Sequence, residues 1–296
     1  MSSFAANLRT FTFIGPALAI VTAIPARADN IVVTMRGAGQ VTPLFLSDGS
    51  GDQGVCNQKN APASTCSYGV ESFSNFTAKQ TASGFKTDFS TGQTDFTQAK
   101  SITGAYSGQI ARVATNQYSG AQGLIAYPVV TGTNSFTLTL TPHGLAGANY
   151  FGLLITAMDA TNLLRLHMQD GSVMDFTLSS LKTLISNTSS PGAYNGNPTA
   201  NLYGQRMGEP YAFVNFYDTN GYISSVEFSN SSSSGFESSN HAVGFFDKPT
   251  IQGNIMLTQQ SVSVPEPSSI LMVLAGLAGV QAWRRRGRPS PSTPPH

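Results

Sequence analysis

Residues 162–178, NLLRLHMQDGSVMDFTL, decide the fold. Leu164 and Leu166 are two positions apart, which is the spacing of residues on one face of a strand, and such a strand turns that face to a hydrophobic core. Asp170-Gly171 is a turn dipeptide, and residues 173–178 return with a second alternating pattern. The stretch therefore predicts a β-hairpin, which places it in an antiparallel sheet.

Similar short runs between turn residues continue through residues 30–262. The strand-like runs are NIVVTMR (30–36), QGLIAYPVV (122–130), NSFTLTLTP (134–142), YFGLLITAM (150–158), YAFVNFYD (211–218), YISSVEFSN (222–230), GFESSNHAVGFF (235–246) and NIMLTQQ (254–260). One short helix is predicted at 179–187, capped by Ser179 or Ser180, with apolar positions on one face. Many strands and at most one short helix predict an all-β fold, an antiparallel β-sandwich of jelly-roll type.

Composition and charge exclude some classes of partner. The chain has 296 residues, of which 40% are hydrophobic and only 10% are charged. Residues 29–264 carry 10 Lys and Arg against 14 Asp and Glu, while six further arginines lie near the two ends. A weakly acidic body argues against nucleic acid as a partner, because phosphate neutralisation needs a basic face.

The N-terminus has the organisation of a secretory signal peptide. An apolar stretch at 11–24 follows Arg9 and ends in Ala26-Arg27-Ala28, the small-x-small pattern that signal peptidase cleaves. We expect residues 1–28 to form a signal helix and the mature chain to begin at Asp29. The alternative, a buried N-terminal helix, is disfavoured by Pro16 and by the small-residue ending.

The two cysteines, Cys56 and Cys66, bracket a short polar loop. In an oxidising compartment such a pair is most simply a disulfide, which would stabilise the fold by roughly 2–3 kcal/mol in the chain-entropy model. Two free thiols remain the alternative. Zinc binding by this pair alone is disfavoured, since structural zinc takes four ligands.

The C-terminus carries Pro265-Glu266-Pro267, an apolar run at 270–283, and then Arg284, Arg285 and Arg286. A helix over 270–283 would rise about 21 Å, which is short for a hydrocarbon core of about 30 Å. Snorkelling arginines would help it span, and the positive-inside rule would keep them cytoplasmic. The pattern predicts a transmembrane helix, with the three arginines after it as a cytoplasmic stop.

This tail closely resembles the PEP-CTERM sorting signal of Gram-negative bacteria, through Val264-Pro265-Glu266-Pro267, the apolar run and WRRRGR. The resemblance implies recognition by a membrane enzyme, exosortase, transient anchoring in the inner membrane, and delivery to the cell surface, often alongside exopolysaccharide. It divides the chain into a signal peptide (1–28), an exported domain (29–262), a sorting signal (263–288) and a tail (289–296). An ordinary C-terminal anchor is the alternative.

A second resemblance covers about 100 residues and is to jelly-roll ectodomains of PEP-CTERM proteins. The matching elements are Tyr150-Phe151-Gly152, Asp159 with Asn162, AFVNF at 212–216, and Phe236-Glu237 with Asn240; Ser239 departs from the pattern. The oxygen-bearing side chains of Asp159, Asn162, Glu237 and Asn240 are a possible weak calcium site. The alternative is that they simply shape turns, as DTNG at 218–221 is expected to do in a hairpin.

Catalytic patterns are sparse in the exported part. Its three histidines, His143, His167 and His241, accompany no GxSxG or HExxH motif, so we expect no enzymatic activity and no cofactor. Surface carbohydrate binding is the alternative function. Because Trp283, the single tryptophan, lies in the tail, such binding would use tyrosines such as Tyr194, Tyr203 or Tyr211.

Overall fold

The computed structural model describes residues 30–37, 66–73, 81–82, 84–89, 101–114, 116, 118, 126–246 and 256–260. Within these ranges the chain forms fifteen β-strands and one α-helix. The strands are β1 (Asn30–Arg36), β2 (Cys66–Glu71), β3 (Thr81–Ala82), β4 (Lys86–Asp88), β5 (Ser101–Gly108), β6 (Ile110–Ala114), β7 (Ala126–Thr131), β8 (Ser135–His143), β9 (Tyr150–Thr156), β10 (Asn162–Met168), β11 (Val173–Thr177), β12 (Tyr211–Asp218), β13 (Ile223–Asn230), β14 (Gly235–Phe246) and β15 (Met256–Gln260). The helix is α1 (Leu178–Ser186).

The strands build two antiparallel sheets. The nine-stranded sheet has the order β15-β1-β12-β9-β14-β7-β6-β3, with β2 also paired to β14. The six-stranded sheet has the order β11-β10-β13-β8-β5-β4. The prediction of an all-β antiparallel sandwich with one short helix is confirmed.

The hairpin predicted from residues 162–178 is present as β10 and β11. Leu166 lies opposite Met174, and Gly171 takes a positive φ of 87° in the turn, a conformation that glycine adopts without steric cost. The side chain of Asp170 accepts the N–H of Ser172 at 2.8 Å, which closes the turn. Local sequence therefore determines this hairpin.

The hydrophobic core lies between the two sheets. Strand β9 is buried along its whole length, as its continuous apolar sequence predicts, and it sits between β12 and β14. Strand β8 of the other sheet alternates buried and more exposed positions, and its Phe136, Leu138 and Leu140 belong to the same core. Burial of these alternating faces holds the sandwich together.

Two local predictions are wrong in detail. The N-cap of α1 is Thr177, whose hydroxyl accepts the N–H of Ser180 at 3.4 Å, and not Ser179 or Ser180 themselves. The cap lies two residues before Ser179 because β11 ends at Thr177 in an extended conformation that suits a cap. The turn at 218–221 does not close a hairpin either, since β12 and β13 belong to different sheets.

Candidate functional site

The turn between β9 and β10 contains two of the four predicted oxygen ligands, Asp159 and Asn162. The amide oxygen of Asn162 accepts the backbone N–H of Asp159 at 2.9 Å, and its Nδ2 donates to the carbonyl of Gly235 at 3.0 Å. The carboxylate of Asp159 accepts two hydrogen bonds from Thr161, one from its backbone N–H at 2.8 Å and one from its hydroxyl at 2.5 Å. Asn162 therefore fastens this turn to the start of β14.

A serine-rich loop before β14 completes the surroundings of Asp159. The hydroxyl of Thr161 lies 2.9 Å from that of Ser232 and 3.0 Å from that of Ser234. Burial alone would raise the pKa of Asp159, but hydrogen bonds from Ser234 and Thr161 outweigh it and lower the pKa below its ordinary value. This carboxylate is held in its ionised form.

Glu237, the third predicted ligand, is on β14 next to this turn. Its Cα lies opposite Thr156 of β9 and Val129 of β7, and its side chain points to the face opposite Phe236. The residue is only 8% exposed. Its carboxylate lies against Gly235, where an added Cβ would stand 2.3 Å from Oε1. Glycine at 235 therefore leaves the room that the carboxylate occupies.

The ionisation of Glu237 is strongly perturbed. Burial raises its pKa to about 7, and the negative charges of Asp159 and Glu209 add to this, whereas its own amide and Arg206 act in the opposite direction. Nε of Arg206 donates a hydrogen bond to Glu209 at 3.0 Å, so the positive charge of Arg206 acts on Glu209 as well as on Glu237. At neutral pH the carboxyl of Glu237 exists in both protonation states. Such a group can donate a hydrogen bond as well as accept one.

Two tyrosines are next to Glu237. Tyr127 and Tyr211 are buried, and desolvation, followed by nearby carboxylates, raises the pKa of both hydroxyls. The hydroxyl of Tyr127 donates to the side-chain oxygen of Asn116 at 2.7 Å. The guanidinium of Arg206 lies 4.7 Å from the ring centre of Tyr118. Aromatic rings and charged groups together form the candidate site around Glu237.

Asn240, the fourth predicted ligand, occupies an irregularity in β14 and has a φ of 49°. The structure thus brings Asp159 and Asn162 together and puts Glu237 within reach of the charge of Asp159. In the described ranges there is no group of three or more His, Cys, Asp or Glu side chains arranged to hold a metal ion. Calcium binding stays a prediction, with the oxygen of Asn162 already engaged by backbone.

A second polar cluster, which the sequence did not reveal, lies inside the core. His241 is fully buried, with Nδ1 3.0 Å from the hydroxyl of Tyr106 and Nε2 3.0 Å from that of Ser238. Burial lowers the pKa of His241 to about 3, so the ring is neutral. It stacks on Phe228 at 4.7 Å. A serine and a histidine meet here, but the core encloses both.

The other two histidines lie on the six-stranded sheet. His167 faces outward from β10, with Nε2 3.4 Å from a carboxylate oxygen of Glu227. Nε2 of His143 lies 3.0 Å from the hydroxyl of Thr103. Each of these histidines contacts a neighbouring strand.

The residues predicted to direct export lie outside the described ranges; they are Ala26, Ala28, Pro265, Glu266, Pro267, Arg284, Arg285 and Arg286. Cys56, one partner of the predicted disulfide, lies outside these ranges as well. Cys66 begins β2, so the Cys56–Cys66 disulfide stays a prediction. No helix in the described part of the chain combines the length and hydropathy needed to cross a bilayer.

Comparison with known proteins identifies one segment. Residues 263–286 match the family model of the PEP-CTERM protein-sorting motif. A search of curated proteins finds no match to the chain. The matched segment supports export, transient membrane anchoring and processing by exosortase, as the sequence resemblance implied.

Proposed function

We propose that this PEP-CTERM protein is a non-enzymatic β-sandwich that crosses the inner membrane of a Gram-negative bacterium behind a signal peptide and reaches the cell surface or extracellular matrix. The observation that carries the proposal is the sorting motif at 263–286. It begins three positions after Gln260, the last residue of β15, so the signal follows the folded domain directly.

Two features of the domain support a non-enzymatic role. In the described part of the chain, the imidazole that lies within hydrogen-bond distance of a serine hydroxyl is that of His241, and it is neutral and fully buried, which removes it from any substrate. Among the described residues, the perturbed carboxyl of Glu237 has tyrosines, an arginine and other carboxylates as neighbours, and none of these is an activated nucleophile.

The motif can be tested by replacing Pro265, Glu266 and Pro267 with alanine in a host that has exosortase. We expect the variant to keep its C-terminal segment, whereas the parent protein loses it, as measured by intact mass. The matched control has alanine in place of Pro294 and Pro295, which lie beyond the matched segment, and it should be processed like the parent protein. Equal processing of all three proteins would contradict recognition at this motif.

Carbohydrate binding is the second candidate function, and one observation favours it. Of the three tyrosines considered above, Tyr194 and Tyr211 are buried but Tyr203 is 81% exposed. Its loop is held by backbone hydrogen bonds, including Gly204 N–H to Asn197 O at 3.1 Å, and Gln205, two residues further along the chain, is exposed as well. An exposed aromatic ring suits stacking against a sugar face.

A glycan array probed with the processed protein tests this second candidate. Binding should disappear in Tyr203→Ala and persist in Tyr222→Ala, which removes a less exposed ring. No signal above background for the parent protein would eliminate carbohydrate binding.

A further inference from the structure

Two turns meet at one end of the sandwich. One is the turn of the β10–β11 hairpin, at residues 169–172, and the other is the linker at 219–222, which crosses from β12 in the nine-stranded sheet to β13 in the six-stranded sheet. The backbone N–H of Gln169 donates to the carbonyl of Tyr222 at 2.8 Å. This hydrogen bond continues the pairing of β10 with β13, so it fixes the two turns against each other.

Each turn has an aspartate with only one of its two carboxylate oxygens engaged. Oδ1 of Asp218 accepts the N–H groups of Asn220 at 3.0 Å and Gly221 at 2.8 Å. Oδ1 of Asp170 accepts the N–H of Ser172 at 2.8 Å. Both Oδ2 atoms are buried without a hydrogen-bond partner, and Asp218 as a whole is only 1% exposed. A buried carboxylate oxygen with no donor has lost its water without compensation, so it calls for a bound group.

The two carboxylates also act on each other through their charges. Burial raises the pKa of Asp218, and the negative charge of Asp170 raises it further, although the two backbone N–H groups act in the opposite direction. In the part of the chain that the structure describes, the ion pairs are formed by other residues, so no arginine or lysine neutralises these two aspartates. Neighbouring negative charges with unused lone pairs attract a cation.

We propose that Asp170 and Asp218 bind a calcium ion between the β10–β11 turn and the 219–222 linker, with Oδ2 of each as a ligand. Calcium takes carboxylate oxygens together with backbone carbonyls and water, in a flexible shell of about six to eight ligands. With two carboxylates the Kd should be about 10⁻⁴–10⁻³ M, as in extracellular calcium modules. The site is at the opposite end of β10 from Asp159 and Asn162.

This inference goes beyond the proposed function, because it depends on neither exosortase nor a glycan. Its structural consequence is local. The 219–222 linker joins the two sheets, and a bound ion would fasten it to the hairpin turn of the six-stranded sheet. Calcium should therefore stabilise the folded state, since it binds a site that the unfolded chain does not assemble.

The experiment uses the full chain, purified in detergent, treated with EDTA and returned to calcium-free buffer. Calcium chloride is the probe, and potassium chloride at the same ionic strength is the control for screening. Isothermal titration calorimetry measures the Kd. In urea unfolding, calcium at about ten times this Kd should lower the unfolding equilibrium constant about elevenfold, whereas potassium chloride should leave it nearly unchanged.

Two variants remove the proposed ligands, and two others are matched controls. Asp170→Asn and Asp218→Asn keep the shape of the side chain and remove one charge. In calcium-free buffer each should be at least as stable as the parent, because one of two repelling charges is gone, and each should lose the calcium response. Asp175→Asn alters an exposed carboxylate on β11, and Asp159→Asn alters the β9–β10 turn; both should keep the response.

Absence of a calcium response in the parent protein would overturn the inference. So would a parental response in Asp170→Asn or in Asp218→Asn, measured as the heat of binding and as the shift in unfolding. A response that is lost in Asp159→Asn and kept in Asp218→Asn would assign the ion to the β9–β10 turn and would equally overturn it. None of these results bears on processing of the sorting motif, so the proposed function is tested separately.

Discussion

Replacing Glu237 with glutamine should stabilise the protein in a way that depends on pH. Glutamine keeps the shape of the side chain and removes its ability to ionise. Glu237 is 8% exposed, and burial together with Asp159 and Glu209 raises its pKa to about 7. Ionising this carboxyl in the folded protein therefore costs more than ionising it in the unfolded chain.

The magnitude follows from the two pKa values. In the folded protein the pKa is about 7, and the ordinary value is 4.5. The carboxyl's favourable contribution is present below the unfolded value and is lost as the pH rises through the folded value, since the unfolded chain gives up its proton first. At 1.36 kcal/mol per pH unit the full loss is about 3 kcal/mol above neutrality.

Urea unfolding of the processed protein at about pH 5 and about pH 8 measures this effect. Glu237→Gln should exceed the parent in free energy of unfolding by less than about 1 kcal/mol at the lower pH and by about 3 kcal/mol at the higher pH. Comparison at each pH cancels the titration of other groups, including His241. A gain that is equal at both values, or a loss at the higher one, would refute the assigned environment of Glu237.

Three other substitutions test the local structure through the free energy of unfolding. Thr177→Ala removes the N-cap of α1 and should cost about 1 kcal/mol, while the control Ser179→Ala should change stability by less than about 0.5 kcal/mol; equal effects would contradict the assigned cap. Gly152→Ala should cost about 1–3 kcal/mol, because its Cβ would lie 2.2 Å from the hydroxyl of Tyr150; a neutral result would contradict that contact. His241→Phe should cost about 1–3 kcal/mol at neutral pH through the loss of two hydrogen bonds. The parent should lose stability as the pH drops from 6.5 towards 3, because the buried ring resists protonation, and the variant should show a weaker loss. An unchanged pH profile would contradict a buried neutral histidine.

The sequence predicts those parts of the fold that local patterning determines. Alternation in β8, the apolar run of β9 and the hairpin of β10 and β11 each depend on a few consecutive residues, so they are predictable. β5 and β6 are not, because SITGAYSG and IARVA mix small and polar residues without a clear period. Their strand conformation comes from pairing with β8 and β7, which is a long-range effect.

The candidate site shows the same limit. Asp159 and Asn162 are close in sequence, and their mutual turn is what Asp and Asn are suited to form. The pKa of Glu237 depends first on burial and also on the charges of Glu209 and Arg206, which come from a distant part of the chain. A single sequence gives no distance between such residues. It therefore predicts which side chains carry candidate ligand oxygens, but it does not predict the pKa of Glu237.

The contact between Ser238 and His241 requires a break in strand alternation. In a regular strand, residues three apart point to opposite faces. β14 has three steps from Ser239 to Ala242 where β9 has two, from Leu154 to Gly152, so β14 carries one extra residue at this point. The bulge, at which Asn240 takes its positive φ, brings His241 to the core side with Ser238 and leaves Glu237 on the other face. One irregularity thus separates a neutral histidine, locked in the core, from a carboxyl that titrates near neutrality.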